Sequence, residues 1–187
     1  MDRTKFQGFK VSRFESPAFF VALQRMMPVA TASARREVTY RENRILAWCA
    51  LLLVIALYVV GVVSKGIVRH AVQTAPVWVT VVLGMRRSNW SKWTALPCFL
   101  FWLFVTALIW LFLLGWSHVI SGTFSGVEIA MTLVVGFCSV AGLVAALRMT
   151  TRTRAICAST VFLLTLVVQF LVFRISFLPS IAHDRWR

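Results

Sequence analysis

Apolar residues fall along this chain in long unbroken runs rather than in alternation. Residues 45–64, 93–117, 129–147 and 155–173 carry no charged side chain over 20, 25, 19 and 19 positions respectively. A helix rises about 1.5 Å per residue, so roughly 20 apolar residues cross a hydrocarbon core of about 30 Å. Barrel strands would alternate apolar and polar positions over about ten residues, and these runs are apolar all round. They predict four transmembrane helices, with spans at about 45–64, 94–116, 127–147 and 155–177.

A fifth segment, 67–85, is shorter and less pure, with Arg69 and His70 at one end and Pro76 near its middle. Its uncharged part would reach only about 24 Å as a helix. Proline removes a backbone donor and kinks the axis, so an interfacial or re-entrant segment competes with a true span. Charge arbitrates, because Lys and Arg beside spans are retained on the cytoplasmic side. Five spans with the N-terminus inside place 15 of the 20 basic residues inside, whereas four spans place 12 or 8 there. Five spans and a cytoplasmic N-terminus are therefore expected, with a short tail at 179–187. The firmest part is the hairpin of the spans at 94–116 and 127–147. Arg86, Arg87 and Lys92 precede it, Arg148, Arg152 and Arg154 follow it, and the connection 118–126 has neither Lys nor Arg. Trp93 and Trp116, about 34 Å apart along a helix, would sit in the two interfacial aromatic belts.

Residues 1–44 form a basic segment of different character, with nine basic and four acidic residues. Ser16 followed by Pro17 reads as a helix start. Phe19, Phe20, Leu23, Met26 and Met27 then share one face. The expectation is an interfacial amphipathic helix over 17–27, closed by Pro28 and drawn to anionic lipid headgroups by its basic neighbours. A cleaved leader ending near Ala34 is not expected, because Gln24 and Arg25 interrupt the apolar core it would need.

Composition agrees with this class. The chain is 59% apolar and 14% charged, against roughly 45–50% and 25% in soluble domains. The net charge of +14 hints at an acidic partner, but the basic residues sit where helices enter the cytoplasm. No recognition motif for nucleic acid accompanies them, so nucleic acid is not an expected partner. The reading is an all-α integral membrane protein: a polytopic bundle over 45–178 with four clear spans and a fifth shorter one.

Candidate chemistry is sparse. Cys49, Cys98, Cys138 and Cys157 lie in different spans without a C-x-x-C pair, the pattern of small hydrophobes rather than redox thiols. His70, His118 and His183 would gather on the outer face, yet no metal-ligand spacing links them. No cofactor, metal or catalytic residue is expected. Glu128 is the only acid between residues 43 and 183. An intramembrane carboxylate can carry protons or cations, but Ser125-Gly126-Val127-Glu128 fits a capping box, which explains it more simply. Arg174 would lie level with Glu128 if their helices are neighbours, making an ion pair in the outer interface a hypothesis. Gln169, about two turns deeper, is expected to hydrogen-bond across a helix interface.

Helix packing leaves its own trace. Ala130, Cys138, Gly142 and Ala146 share one face at four-residue spacing, broken only by Val134, in the span at 127–147. Small residues let helices approach in lipid, so this helix is expected at the bundle centre or on a dimer face. The span at 94–116, rich in Phe and Trp, is expected to face lipid. Polar poverty favours a non-catalytic interaction or structural component of the membrane, with a second copy or another membrane protein as candidate partner. The alternative is an oligomeric small transporter or channel subunit. A polar file of Gln169, Ser139 and Thr132 along one water-filled cavity would favour that alternative.

Overall fold

The computed structural model describes residues 17–116, 124–151 and 153–178, with side chains described from residue 39 onward. Five α-helices follow one another: α1 (Pro17–Val63), α2 (Ile67–Met85), α3 (Ser91–Leu113), α4 (Gly126–Arg148) and α5 (Ala155–Ile175). No strand occurs among the described residues. Packing divides the chain into two units, Met1–Arg36 and Glu37–Arg187. Within the first, α1 begins at Pro17, as expected, but does not stop at Pro28. An interior proline costs about 3 kcal/mol, and the Ala- and Arg-rich stretch behind it favours helix strongly enough to continue. The amphipathic face of 17–27 lies outside the described side chains.

The second unit is the membrane bundle. Thr39–Val63 of α1 and the whole of α2 to α5 are each long and apolar enough to span a membrane. The chain is thus a multi-pass helical membrane protein with five candidate spans. α2 is the segment that sequence left in doubt. It stays helical through Pro76, whose ring is buried. Neighbouring helices can satisfy the backbone groups that an intramembrane proline frees.

The helices alternate in direction, as contacts at both ends show. At one end Asn43 of α1 accepts a hydrogen bond from Ser91 of α3 at 2.6 Å. There too, Lys92 of α3 donates to the Met149 carbonyl at the end of α4 at 2.8 Å, and Trp93 donates to Thr153 before α5. A cation on the free carbonyls of a helix C-terminus also complements its dipole. At the other end α1 meets the start of α2, where a side chain on Gly61 would press on Ile67 and His70.

Three helices end in the same way. Gly66 N–H reaches Gly61 O, Ser88 N–H reaches Leu83 O, and Trp116 N–H reaches Leu111 O, at 2.8–3.0 Å. These are Schellman closures, which place one residue in the left-handed region. Gly115 takes that position after α3, but Lys65 (φ 55°) and Arg87 (φ 55°) take it after α1 and α2.

α3 is the central helix, packing against α2, α4 and α5. This corrects the expectation that the aromatic helix faces lipid, although Phe104 is exposed. Phe99, Phe101 and Trp102 are buried. The Phe99 ring fills the notch left by Gly142, so that a Cβ there would strike it. A ring set into a glycine notch closes the α3–α4 interface at a point where two backbones alone would leave a gap. α5 is peripheral: 11% of its span is buried inside the bundle, against 39–44% for the other four.

Candidate functional site

A connected set of buried polar groups lies in one seam between α2, α3 and α5. Gln73 and Gln169 are almost fully buried. The Gln169 amide donates to the main-chain oxygen of Gln73 at 3.2 Å, and the Gln73 amide donates to the Ser176 hydroxyl at 2.9 Å. Ser176 in turn donates to the Phe173 carbonyl. Two turns further along α2, Thr80 donates to the Cys98 sulfur at 3.8 Å, and the Cys98 thiol donates to the Gln169 amide oxygen at 3.9 Å. A buried amide left without a partner is costly in a medium of low polarity, so these groups hold one another.

A proline lies in the same turn of α2 as Gln73. Pro76 has no N–H for the carbonyl one turn before it, and its ring crowds that turn. Gln169 delivers a donor to the adjacent carbonyl, that of Gln73. Beside the seam, Thr74 returns its hydroxyl to its own helix at 3.0 Å, and Trp78 donates to Tyr58 of α1 at 3.1 Å.

The other residues singled out from sequence fall elsewhere. Glu128 closes a reciprocal capping box: Ser125 N–H donates to its carboxylate at 2.7 Å, and Glu128 N–H reaches the Ser125 hydroxyl at 3.3 Å. Arg174 is exposed on the last turn of α5. α4 and α5 both pack on α3 rather than chiefly on each other, so the structure does not bring Glu128 and Arg174 together. Of the small-residue face, Cys138, Gly142 and Ala146 are buried and Ala130 is exposed. Four residues turn a helix by about 400°, so a strict four-residue stripe drifts by about 40° per step. Two steps from Cys138 carry Ala130 off the interface. Buried positions follow the true helical period instead, through Thr132, Val135, Cys138, Gly142 and Ala145.

Gln169 does not form a file with Ser139 and Thr132. Its amide partners lie on α2 and α3, while Thr132 bonds back to the Ile129 carbonyl. Ser139 is fully buried, and its hydroxyl has no partner; the indole N–H of Trp102 shares that condition. Among the described residues, no group of three His, Cys, Asp or Glu side chains could hold a metal ion. The four cysteines are free thiols, with Cys98 and Cys138 buried and Cys157 exposed. His70 packs over Gly61, while His118 and His183 lie outside the described residues.

Sequence reasoning did not single out Gln73, Ser176 or Thr80. Gln73 was the available signal, since a glutamine inside an apolar span seeks a partner across a helix interface. Comparison with protein-family models found no match, and searches of curated proteins and of solved structures found none. Fold and seam together define a multi-pass helical membrane protein with an internally bonded polar core.

Proposed function

We propose that this protein is a non-catalytic interaction or structural component of its membrane, with a cytoplasmic N-terminus. The observation that supports this reading is the seam itself. Its amides and hydroxyls are turned onto each other and onto main-chain oxygens, which ties helices together and leaves little polarity to handle a solute. The 15 to 5 split of basic residues supports the orientation.

A second reading, an oligomeric transporter or channel subunit, has one observation in its favour. α5 buries only Ala158 and Gln169 fully, leaving a broad apolar face for lipid or for another copy.

Cys98 separates the two, because it lies in the seam beside Gln169. In a chain with Cys49, Cys138 and Cys157 replaced by Ala, a charged, membrane-impermeant methanethiosulfonate reagent is added from either side. A packed seam leaves Cys98 unmodified until the protein is denatured. Modification in native membranes would mean that water reaches the seam, and the transport reading would replace ours.

A further inference from the structure

The end of the bundle where α2 begins and α5 finishes carries a groove of about 470 Å³ on α5, lined by Phe173, Arg174, Ile175, Phe177 and Leu178. That volume falls within the roughly 300–1,000 Å³ of small-molecule sites. Its walls are built in advance. Phe173 stacks edge-on against Phe101 at 5.2 Å and against Phe177 at 5.1 Å, so an aromatic ladder roots the groove in the central helix. The Gln73–Ser176 hydrogen bond holds α2 beside it.

Charge at this end is one-sided. The Arg69 guanidinium lies over the Phe177 ring at 4.1 Å, and its buried Nε has no hydrogen-bond partner. Arg174 is an exposed side chain of the groove itself. Lys65 is exposed one helical turn before Arg69. Among the described residues Glu128 is the one acid of this end, against these three cations, and its carboxylate accepts from Ser125 N–H at the start of α4. Apolar walls with two arginines at the end of a span match the boundary between acyl chains and headgroups. The guanidinium forks of Arg69 and Arg174 suit a phosphate.

We propose that this groove holds one anionic phospholipid, its acyl chain along Phe173, Ile175, Phe177 and Leu178 and its phosphate between Arg69 and Arg174. The site depends neither on the function proposed above nor on which side of the membrane it faces.

Native mass spectrometry in detergent tests it, with dioleoylphosphatidylglycerol and dioleoylphosphatidylcholine titrated separately. The full chain should hold one phosphatidylglycerol about tenfold more tightly than phosphatidylcholine, and R69Q/R174Q should lose that preference. R174Q alone removes an exposed side chain, so it should weaken phosphatidylglycerol binding severalfold while leaving thermal unfolding unchanged. R148Q/R154Q, at the opposite end, should leave the preference intact. The proposal is overturned if R174Q binds as the parent does, or if both lipids are held equally. Inorganic phosphate protecting the fold as well as phosphatidylglycerol does would make the ligand a free anion and overturn it too. So would removal of residues 179–187 opening a lipid site that the full chain lacks, since the chain's own C-terminal segment would then be the occupant.

Discussion

At Gly142 the lack of a side chain lets α3 and α4 close. A methyl group there would enter the Phe99 ring, and overpacking a well-filled core costs about 1–3 kcal/mol. Gly142→Ala should therefore lower stability by that amount in detergent unfolding, and Phe99→Leu should recover part of the loss. If the two changes simply add, the ring and the glycine are not in contact and the α3–α4 interface described here is wrong. The left-handed residues Lys65 and Arg87 make a paired case. Glycine accepts that conformation without penalty, so Lys65→Gly should stabilise by about 0.5–1 kcal/mol. Arg87→Gly should gain nothing, because the Arg87 guanidinium lies 4.0 Å from the Tyr40 ring centre and donates to its hydroxyl at 2.8 Å. A gain at Lys65 and none at Arg87, two positions with the same φ, would show that a side-chain contact holds Arg87 in its strained conformation.

Between elements, the seam distinguishes a side chain that bonds another side chain from one that bonds a backbone. Gln73 and Ser176 bond side chain to side chain, so Gln73→Leu and Ser176→Ala should be non-additive. Gln169 reaches the Gln73 main-chain oxygen, which Gln73→Leu leaves in place. Gln169→Leu should cost about 0.6–1.7 kcal/mol, the range seen for interhelical hydrogen bonds in membranes, in either background. A cost that disappears in the Gln73→Leu background would refute this assignment. The same elements show how far sequence could reach. Span number and bounds were legible to within a few residues, because hydrocarbon thickness sets run length. The capping box was legible because Ser125 and Glu128 are local partners. The buried face of each helix was not, since a helix apolar all round carries no moment to orient it. Thus Leu46, Ala50, Leu53 and Leu57 are buried while Trp48, Leu52 and Ile55, equally apolar, are exposed. On the four-residue face of α4, Cys138, Gly142 and Ala146 are buried within the chain while Ala130 is exposed, because each four-residue step drifts by about 40°. Gln169 was predicted to seek a partner, but its choice of α2 depended on tertiary packing.

For the whole molecule, five alternating helices of membrane-spanning length give the bundle two ends, and the ends differ in charge. Arg41, Arg44, Arg86, Arg87, Lys92, Arg148 and Arg154 belong to the end where Asn43 meets Ser91, while Lys65, Arg69 and Arg174 belong to the other. In the orientation proposed above, the first end faces inward, as retention of cations on the cytoplasmic side would require. Two of those cations also hold the fold together, since Arg87 bonds Tyr40 and Lys92 bonds the Met149 carbonyl. Arg41, Arg44, Arg86, Arg148 and Arg154 are exposed, so they can be neutralised with little loss of packing. Reporter fusions after residue 87 and at the C-terminus should read cytoplasmic and external respectively. Changing the five exposed arginines to Gln should produce a mixed orientation, with unfolding in detergent nearly unchanged. A C-terminal reporter on the same side as residue 87 would remove one of the five crossings. An orientation unmoved by the five substitutions would mean that Arg87, Lys92 or the basic segment before residue 37 sets the direction of insertion.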